Sequence, residues 1–275
     1  LFVLPISLFG MSVAAAELPE LSSADPTERD RVADRLQDGL ARIAFYVVPS
    51  ALVFFTLGDL IVATLFQTGA FDRADTVLVW LILAGFSVGL LSNTSSRLLQ
   101  SAFYAGGDAR TPAMYAVVRV AVAAAVGAVL MLQLDRVALT SAGFELRGAL
   151  PAFTPLPQSV RTTPDALHLG AVGLAVAAGA SSWIEFALLR RRLSRVIGRR
   201  VGAGGGHLGS IVGAAALAGL VAVGTRWLVA GSGTLLAGPL ALVVTGLAYV
   251  AAAYLLRVPE IRDLTAVTRR WRRGR

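Results

Sequence analysis

Four ionisable side chains stand inside otherwise apolar stretches of this chain: Asp59, Arg97, Arg119 and Glu185. An ionised group in hydrocarbon is costly, so such residues mark an aqueous path, a gate or a fixed ion pair. The chemistry on offer is electrostatic, because a guanidinium holds an anion or forks onto a carboxylate. Covalent chemistry has little to start from. Cysteine is absent, the imidazoles are His168 and His207, and no nucleophile–base pair, metal cluster or phosphate-binding glycine loop occurs. The reading is of no metal, no cofactor and no enzyme activity.

The elements that must position these charges are membrane spans. A hydrocarbon layer about 30 Å thick is crossed by about 20 helical residues rising about 1.5 Å each. Seven stretches approach that length, near 1–16, 43–66, 76–102, 112–134, 166–189, 208–230 and 234–256. The expected fold is an all-α polytopic transmembrane bundle of about seven spans. A hydrophobic fraction of 56% and a mean hydropathy of +0.69 exceed what a soluble core of this size needs. If the chain weaves through at each span, eighteen arginines fall on the side of connectors 17–42, 103–111, 190–207 and the tail, against five opposite. Basic connectors stay cytoplasmic, which places the C-terminus there. The net charge of +8 serves this orientation and not nucleic-acid binding, since no aromatic-studded basic face accompanies it.

Depth then relates the charges to one another. Arg97, Arg119 and Glu185 all lie about 7–11 Å below the cytoplasmic interface, counting 1.5 Å per residue from the span ends. Arg119 and Glu185, on successive spans, are expected to pair. Arg97 either joins a polar gate at the cytoplasmic mouth or snorkels to the headgroups. Asp59 has no partner within its own helix; it faces a cavity or pairs with a residue the sequence does not identify.

The connectors carry their own logic. Asp25, Pro26 and Glu28 suit a capped helix start, and Val32, Leu36, Leu40 and Ile43 form one apolar stripe. That helix lies along the membrane surface or packs on its neighbours. Pro151, Pro155, Pro157 and Pro164 argue for an irregular extracytoplasmic excursion over 135–165. Gly202, Gly204, Gly205 and Gly206 read as a hinge, and Gly205, Gly209 and Gly213 as a close helix approach. In the connector Phe103-Tyr104-Ala105-Gly106-Gly107-Asp108-Ala109-Arg110-Thr111-Pro112, two glycines end one span, Asp108 caps the next and Thr111-Pro112 opens it.

At those residues the chain resembles the bacterial lipid II flippases, the MurJ or MviN family of the multidrug/oligosaccharidyl-lipid/polysaccharide exporters. Phe103, Tyr104, Asp108, Arg110, Thr111 and Pro112 stand in that family's connector. Leu65-Phe66-Gln67-Thr68-Gly69-Ala70-Phe71 is similar to its extracytoplasmic turn, with Gln67 and Gly69 as the matching positions. Pro5 with Gly10, Leu18-Pro19 and Pro49-Ser50-Ala51 follow in the same order. The resemblance covers about residues 1–200, and the last two spans by hydropathy. It implies fourteen spans in two lobes, with this chain as the second lobe plus one lining helix: core spans over 1–200, a lipid-tail groove over 201–257 and a basic cytoplasmic tail over 258–275. Leu1 opens inside an apolar run without an initiator methionine, so a fragment is expected. The family's diphosphate-holding arginines then lie mostly outside it, and an acidic family position appears as Val3. The sodium-binding positions of some members align with Gly127 and Met131, which offer no side-chain oxygen, so membrane potential is the expected driving force. The implied function is translocation of lipid II, the undecaprenyl-diphosphate-linked peptidoglycan precursor, across the bacterial cytoplasmic membrane by alternating access. The implied partners are that lipid, membrane lipids and cell-wall synthesis or division proteins. A polysaccharide-lipid or drug exporter, or a non-transporting scaffold for cell-wall proteins, are the alternatives.

Overall fold

The computed structural model describes residues 1–13, 15, 29–140, 143–151, 153–161, 166–202, 204–229 and 234–261. Long helices dominate: α1 (Arg29–Phe66), α2 (Arg73–Ser87), α3 (Leu90–Ala105), α4 (Arg110–Leu134), α5 (Gly170–Ile197), α6 (Gly205–Val229) and α7 (Thr234–Leu255). Five of these are long and apolar enough to cross a membrane, and α2 with α3, bent by 42°, makes a sixth crossing if the pair is one span. The stretch 1–16, expected as a further span, holds a short helix Val3–Pro5 that passes into π-helix over Ile6–Met11. Pro5 has no amide to give to the preceding turn, and the helix widens directly after it. Seven full spans are therefore not reached among the described residues.

α1 is the central post, flanked by α2, α3, α6 and α7. Its first three turns correct the picture of a separate surface helix, because they run without interruption into the span. The physical reason is the apolar stripe. Leu36, Leu40 and Ile43 are buried against Leu98, Leu99, Phe103, Leu189 and Leu193, and the stripe continues in phase to Val47 and Phe54. Packing on neighbours thus wins over lying on lipid. Asp25, Pro26 and Glu28 lie outside the described residues.

The span expected over 76–102 is broken between Ser87 and Leu90. A Cβ on Gly89 would come within 2.5 Å of the Gly179 Cα, so α5 presses its backbone onto the break. At the break the Trp183 indole donates to the Val88 carbonyl at 2.9 Å, and the Gly89 carbonyl, which already accepts from the Asn93 amide at 2.8 Å, takes further bonds from the Ser182 and Ser92 hydroxyls at 3.2 and 3.0 Å. A lipid-embedded break needs such donors, since no water is available. α4 packs along one seam against α5, where Gly173 meets the Leu130 backbone. Only 6% of the apolar α4 window is buried, leaving Val117, Val120 and Val129 outward.

The α6–α7 pair closes on α1 through Phe45, Ile211, Ala214, Ala215, Ala218, Tyr249 and Ala253. The Tyr249 hydroxyl donates to the Phe45 carbonyl at 2.6 Å. Alanines make this approach, not the every-fourth glycines: a Cβ on Gly209 meets nothing within 4 Å and one on Gly213 meets only Leu256 at 3.5 Å. The 135–165 segment is more regular than its prolines suggested. β1 (Val137–Thr140) pairs antiparallel with β2 (Gly143–Leu146) and with β3 (Leu167–His168), in the order β2-β1-β3. Val137 stands opposite Leu146 and Thr140 opposite Gly143, and the prolines follow this hairpin. The segment is anchored to the end of α4, where Arg161 pairs with Asp135 at 3.3 Å and His168 Nδ1 donates to the Asp135 carbonyl at 2.6 Å. Pro164 lies outside the described residues.

Candidate functional site

The expected Arg119–Glu185 ion pair is present between α4 and α5, with Arg119 Nη1 3.0 Å from Glu185 Oε2. Glu185 is 1% exposed, on the inward face of α5 shared with Ser182 and Leu189. The second oxygen of its carboxylate accepts from Gln100 Nε2 at 2.8 Å. Arg119 Nη1 also donates to Asn93 Oδ1 at 3.3 Å. Asn93 and Gln100 are seven residues apart on α3 and so share one face. Three helices thus converge on one buried carboxylate, with both of its oxygens bonded. The guanidinium is less enclosed: its side chain is 28% exposed, and Nε and Nη2 have no hydrogen-bond partner among the described residues. Beside it lies a cavity of about 80 Å³ lined by Phe2, Phe86, Asn93, Arg119 and Ser182. The arrangement is a cation held from behind by a carboxylate, with a small and mainly apolar cavity beside it.

Arg97 is not drawn into this cluster. It stands between Asn93 and Gln100 on the same face of α3, exposed, and forms no hydrogen bond or ion pair among the described residues. Asp59 does have a partner, and it is Arg226 on α6. The guanidinium forks onto the carboxylate at 2.9 and 2.6 Å and donates a third bond to the Thr56 carbonyl at 2.8 Å. Both residues lie near the C-terminal ends of their helices, so distance from the span end was a usable signal.

The connector between α3 and α4 is built as its residues suggest. Gly107 has φ of +75°, the left-handed turn that ends α3. Asp108 accepts from the Thr111 amide at 3.0 Å and the Thr111 hydroxyl at 2.6 Å. Those two bonds, the hydroxyl foremost, hold its carboxyl below the usual range, with Arg192 adding to the effect. Phe103 is buried in the core while Tyr104 points outward at 53% exposure, Pro112 is buried and Arg110 exposed. At the opposite end Gly69 takes a positive φ of +63° just after Gln67, and Asp72 with Asp75 forms a capping box that starts α2.

With this geometry in hand, comparison with known proteins is informative. The family described as "Lipid II flippase MurJ" matches residues 1–144. A protein of Rhizobium tropici named "Probable lipid II flippase MurJ" is 32% identical over 131 residues, 47% of this chain and 25% of that protein. A Burkholderia cenocepacia protein named "Lipid II flippase MurJ" is 32% identical over 114 residues, 41% of this chain and 22% of its own length. These matches span about a quarter of the curated relatives. A solved structure titled "Lipid II flippase MurJ, inward closed conformation" superposes over 96% of this chain and 46% of its own, with a TM-score of 0.66 and 17% identity. At that identity the superposition speaks to the fold.

Proposed function

Because the chain belongs to the lipid II flippase MurJ family, as the match over residues 1–144 shows, we propose that it forms the C-terminal lobe of a transporter for lipid II. The whole transporter would carry the diphosphate headgroup of this peptidoglycan precursor across the bacterial cytoplasmic membrane while the lipid tail stays in the bilayer. The family match carries the reading; the geometry suggests how the lobe takes part. Arg119, held by the Glu185 carboxylate that Gln100 also bonds, and the exposed Arg97 on α3 put positive charge on the α3–α4–α5 group, where a headgroup path or gate would run. Alternating access requires a lobe that moves as a body, and the fully bonded Glu185 carboxylate, the α5 contact at Gly89 and the Asp59–Arg226 fork tie its helices together. The work is binding and movement, with no bond made or broken in the substrate.

Within the lobe we assign residues 1–200 to the core spans, 201–257 to the helices that guide the lipid tail and 258–275 to a basic cytoplasmic tail. An apolar groove of about 490 Å³ between the N-terminal segment, α1 and α7, lined by Leu4, Phe9, Pro49 and Tyr249, suits an isoprenoid chain. The arginine-rich connectors and the C-terminus face the cytoplasm, and membrane potential drives the cycle. Motif residues Pro5, Gln67, Gly69, Phe103, Tyr104, Asp108, Arg110, Thr111 and Pro112 shape the turns that hold the spans in register.

Depletion of the full-length protein is expected to stop peptidoglycan synthesis with lipid precursor accumulating on the cytoplasmic side. Vesicles containing it are expected to move lipid II. Movement of other lipid-linked glycans or drugs but not lipid II would favour another exporter of the superfamily. Undiminished precursor flux with mislocalised division proteins would favour a scaffold.

A further inference from the structure

A second basic feature occupies the C-terminal end of α5, on the face opposite Glu185. Glu185, Leu189 and Leu193 point into the bundle, whereas Trp183 and Ile184 are 42% and 39% exposed. Spacing of three and four residues continues that outer stripe through Ala187 to Arg191 and Arg195. From Gly170, where α5 begins, to Arg191 is 21 residues, or about 32 Å of helix, close to one hydrocarbon thickness. The outer apolar stripe therefore meets acyl chains and these guanidinium groups meet headgroups.

The local chain is folded to gather more charge there. Gly198 adopts the left-handed conformation with φ of +82° and turns the chain back. The Val201 amide then donates to Ser194 Oγ at 3.0 Å, and Arg190 Nε donates to the Val201 carbonyl at 2.5 Å. This return loop carries Arg200 over the helix end. The result is a cavity of about 580 Å³ lined by Arg190, Arg191, Ser194, Arg195 and Arg200. Adjacent Arg199 reaches Asp34 at 2.7 Å. Arg191, Arg195 and Arg200 have no carboxylate and no hydrogen-bond partner among the described residues. Guanidinium groups held around one cavity repel one another unless an anion joins them, and they match phosphate oxygens in geometry and charge.

We propose that this cavity binds the phosphate of an anionic phospholipid, whose acyl chains lie along the Trp183–Ile184–Ala187 stripe. The site is outward-facing and separate from the Arg119–Glu185 cluster, so its occupant is a resident lipid of the surrounding bilayer and not the translocated headgroup. The proposal needs only that α5 crosses a membrane, and it stands or falls independently of lipid II transport.

The test uses the full-length protein in nanodiscs of phosphatidylcholine doped with phosphatidylglycerol, followed by native mass spectrometry of retained lipid. Wild type is expected to retain phosphatidylglycerol in preference to phosphatidylcholine. The variant Arg191→Gln/Arg195→Gln/Arg200→Gln is expected to lose the preference by about five-fold per arginine removed, which corresponds to about 1 kcal/mol for each basic residue at an anionic surface. The matching triple lysine variant keeps the charge and is expected to keep most of the preference, which separates loss of the site from misfolding. Equal retention by wild type and the glutamine variant would overturn the proposal. So would displacement of the bound lipid by millimolar inorganic phosphate, which would identify a free-anion site, or recovery of a polyprenyl diphosphate in place of phospholipid.

Discussion

Replacing Glu185 by alanine tests whether the intramembrane pair is an energetic unit. The carboxylate is 1% exposed and satisfies two donors, Arg119 at 3.0 Å and Gln100 at 2.8 Å. Among the described residues, its removal leaves the guanidinium with Asn93 at 3.3 Å as its remaining partner and the Gln100 amide with none. Stripping one member from a buried pair costs about 3–5 kcal/mol because the other charge stays buried and unanswered. Arg119 is 28% exposed and keeps Asn93, which lowers the expected cost to about 2–3 kcal/mol. Removing both charges abolishes that penalty, so Arg119→Ala/Glu185→Ala should be less destabilised than the two single effects added together. The expected coupling is about 1–2 kcal/mol, at the upper end for polar contacts between membrane helices. Equilibrium unfolding of the full-length protein in mixed micelles, followed by tryptophan fluorescence, measures all four corners of the cycle. If the singles add to the double within about 0.5 kcal/mol, the pair carries no coupling and the reasoning fails. Transport should follow the same order, with Glu185→Ala more damaged than the double variant.

Gly173→Ala places a Cβ 2.7 Å from the Leu130 carbonyl carbon and 2.8 Å from the Met131 amide, backbone atoms that cannot swing aside. It should cost about 1–3 kcal/mol in the same unfolding assay, whereas Gly213→Ala, with Leu256 at 3.5 Å, should be neutral or slightly stabilising; equal effects would refute the packed seam. Arg226→Ala removes a two-pronged bond to Asp59 and a third to the Thr56 carbonyl, and should destabilise by about 1–3 kcal/mol, an effect that Asp59→Asn in the same background should largely relieve. Asp108 has a folded pKa held below its unfolded value by Thr111. Its contribution to ordering the connector is therefore present at neutral pH and is lost as pH falls through the lowered value. An NMR titration of the Asp108 carboxyl should give a higher midpoint in Thr111→Val than in wild type, and an unchanged midpoint would remove the hydroxyl as the cause.

The transverse order of this protein was legible from its residues. Hydropathy is a local transfer property, so five of the seven expected spans emerged from composition as single long helices, while 1–16 and 76–102 did not, and depth counted along a helix placed Arg119 level with Glu185. The α3–α4 turn was equally readable, since Gly107, Asp108 and Thr111 act on backbone groups within a few residues of themselves. What escaped was lateral and rotational. Asp59 and Arg226 are separated by 167 positions, and only the docking of α6 on α1 brings them together. The break at Gly89 depends on Gly179 arriving from another helix, and the continuity of α1 depends on Leu98, Leu99, Leu189 and Leu193 covering its early stripe. Strand pairing of 137–140 with 143–146 and 167–168 was masked by the prolines that follow. A sequence fixes how deep each residue stands in the bilayer because that is a property of one helix and its solvent; which helix stands beside it, and which face it turns, is decided by packing among all of them.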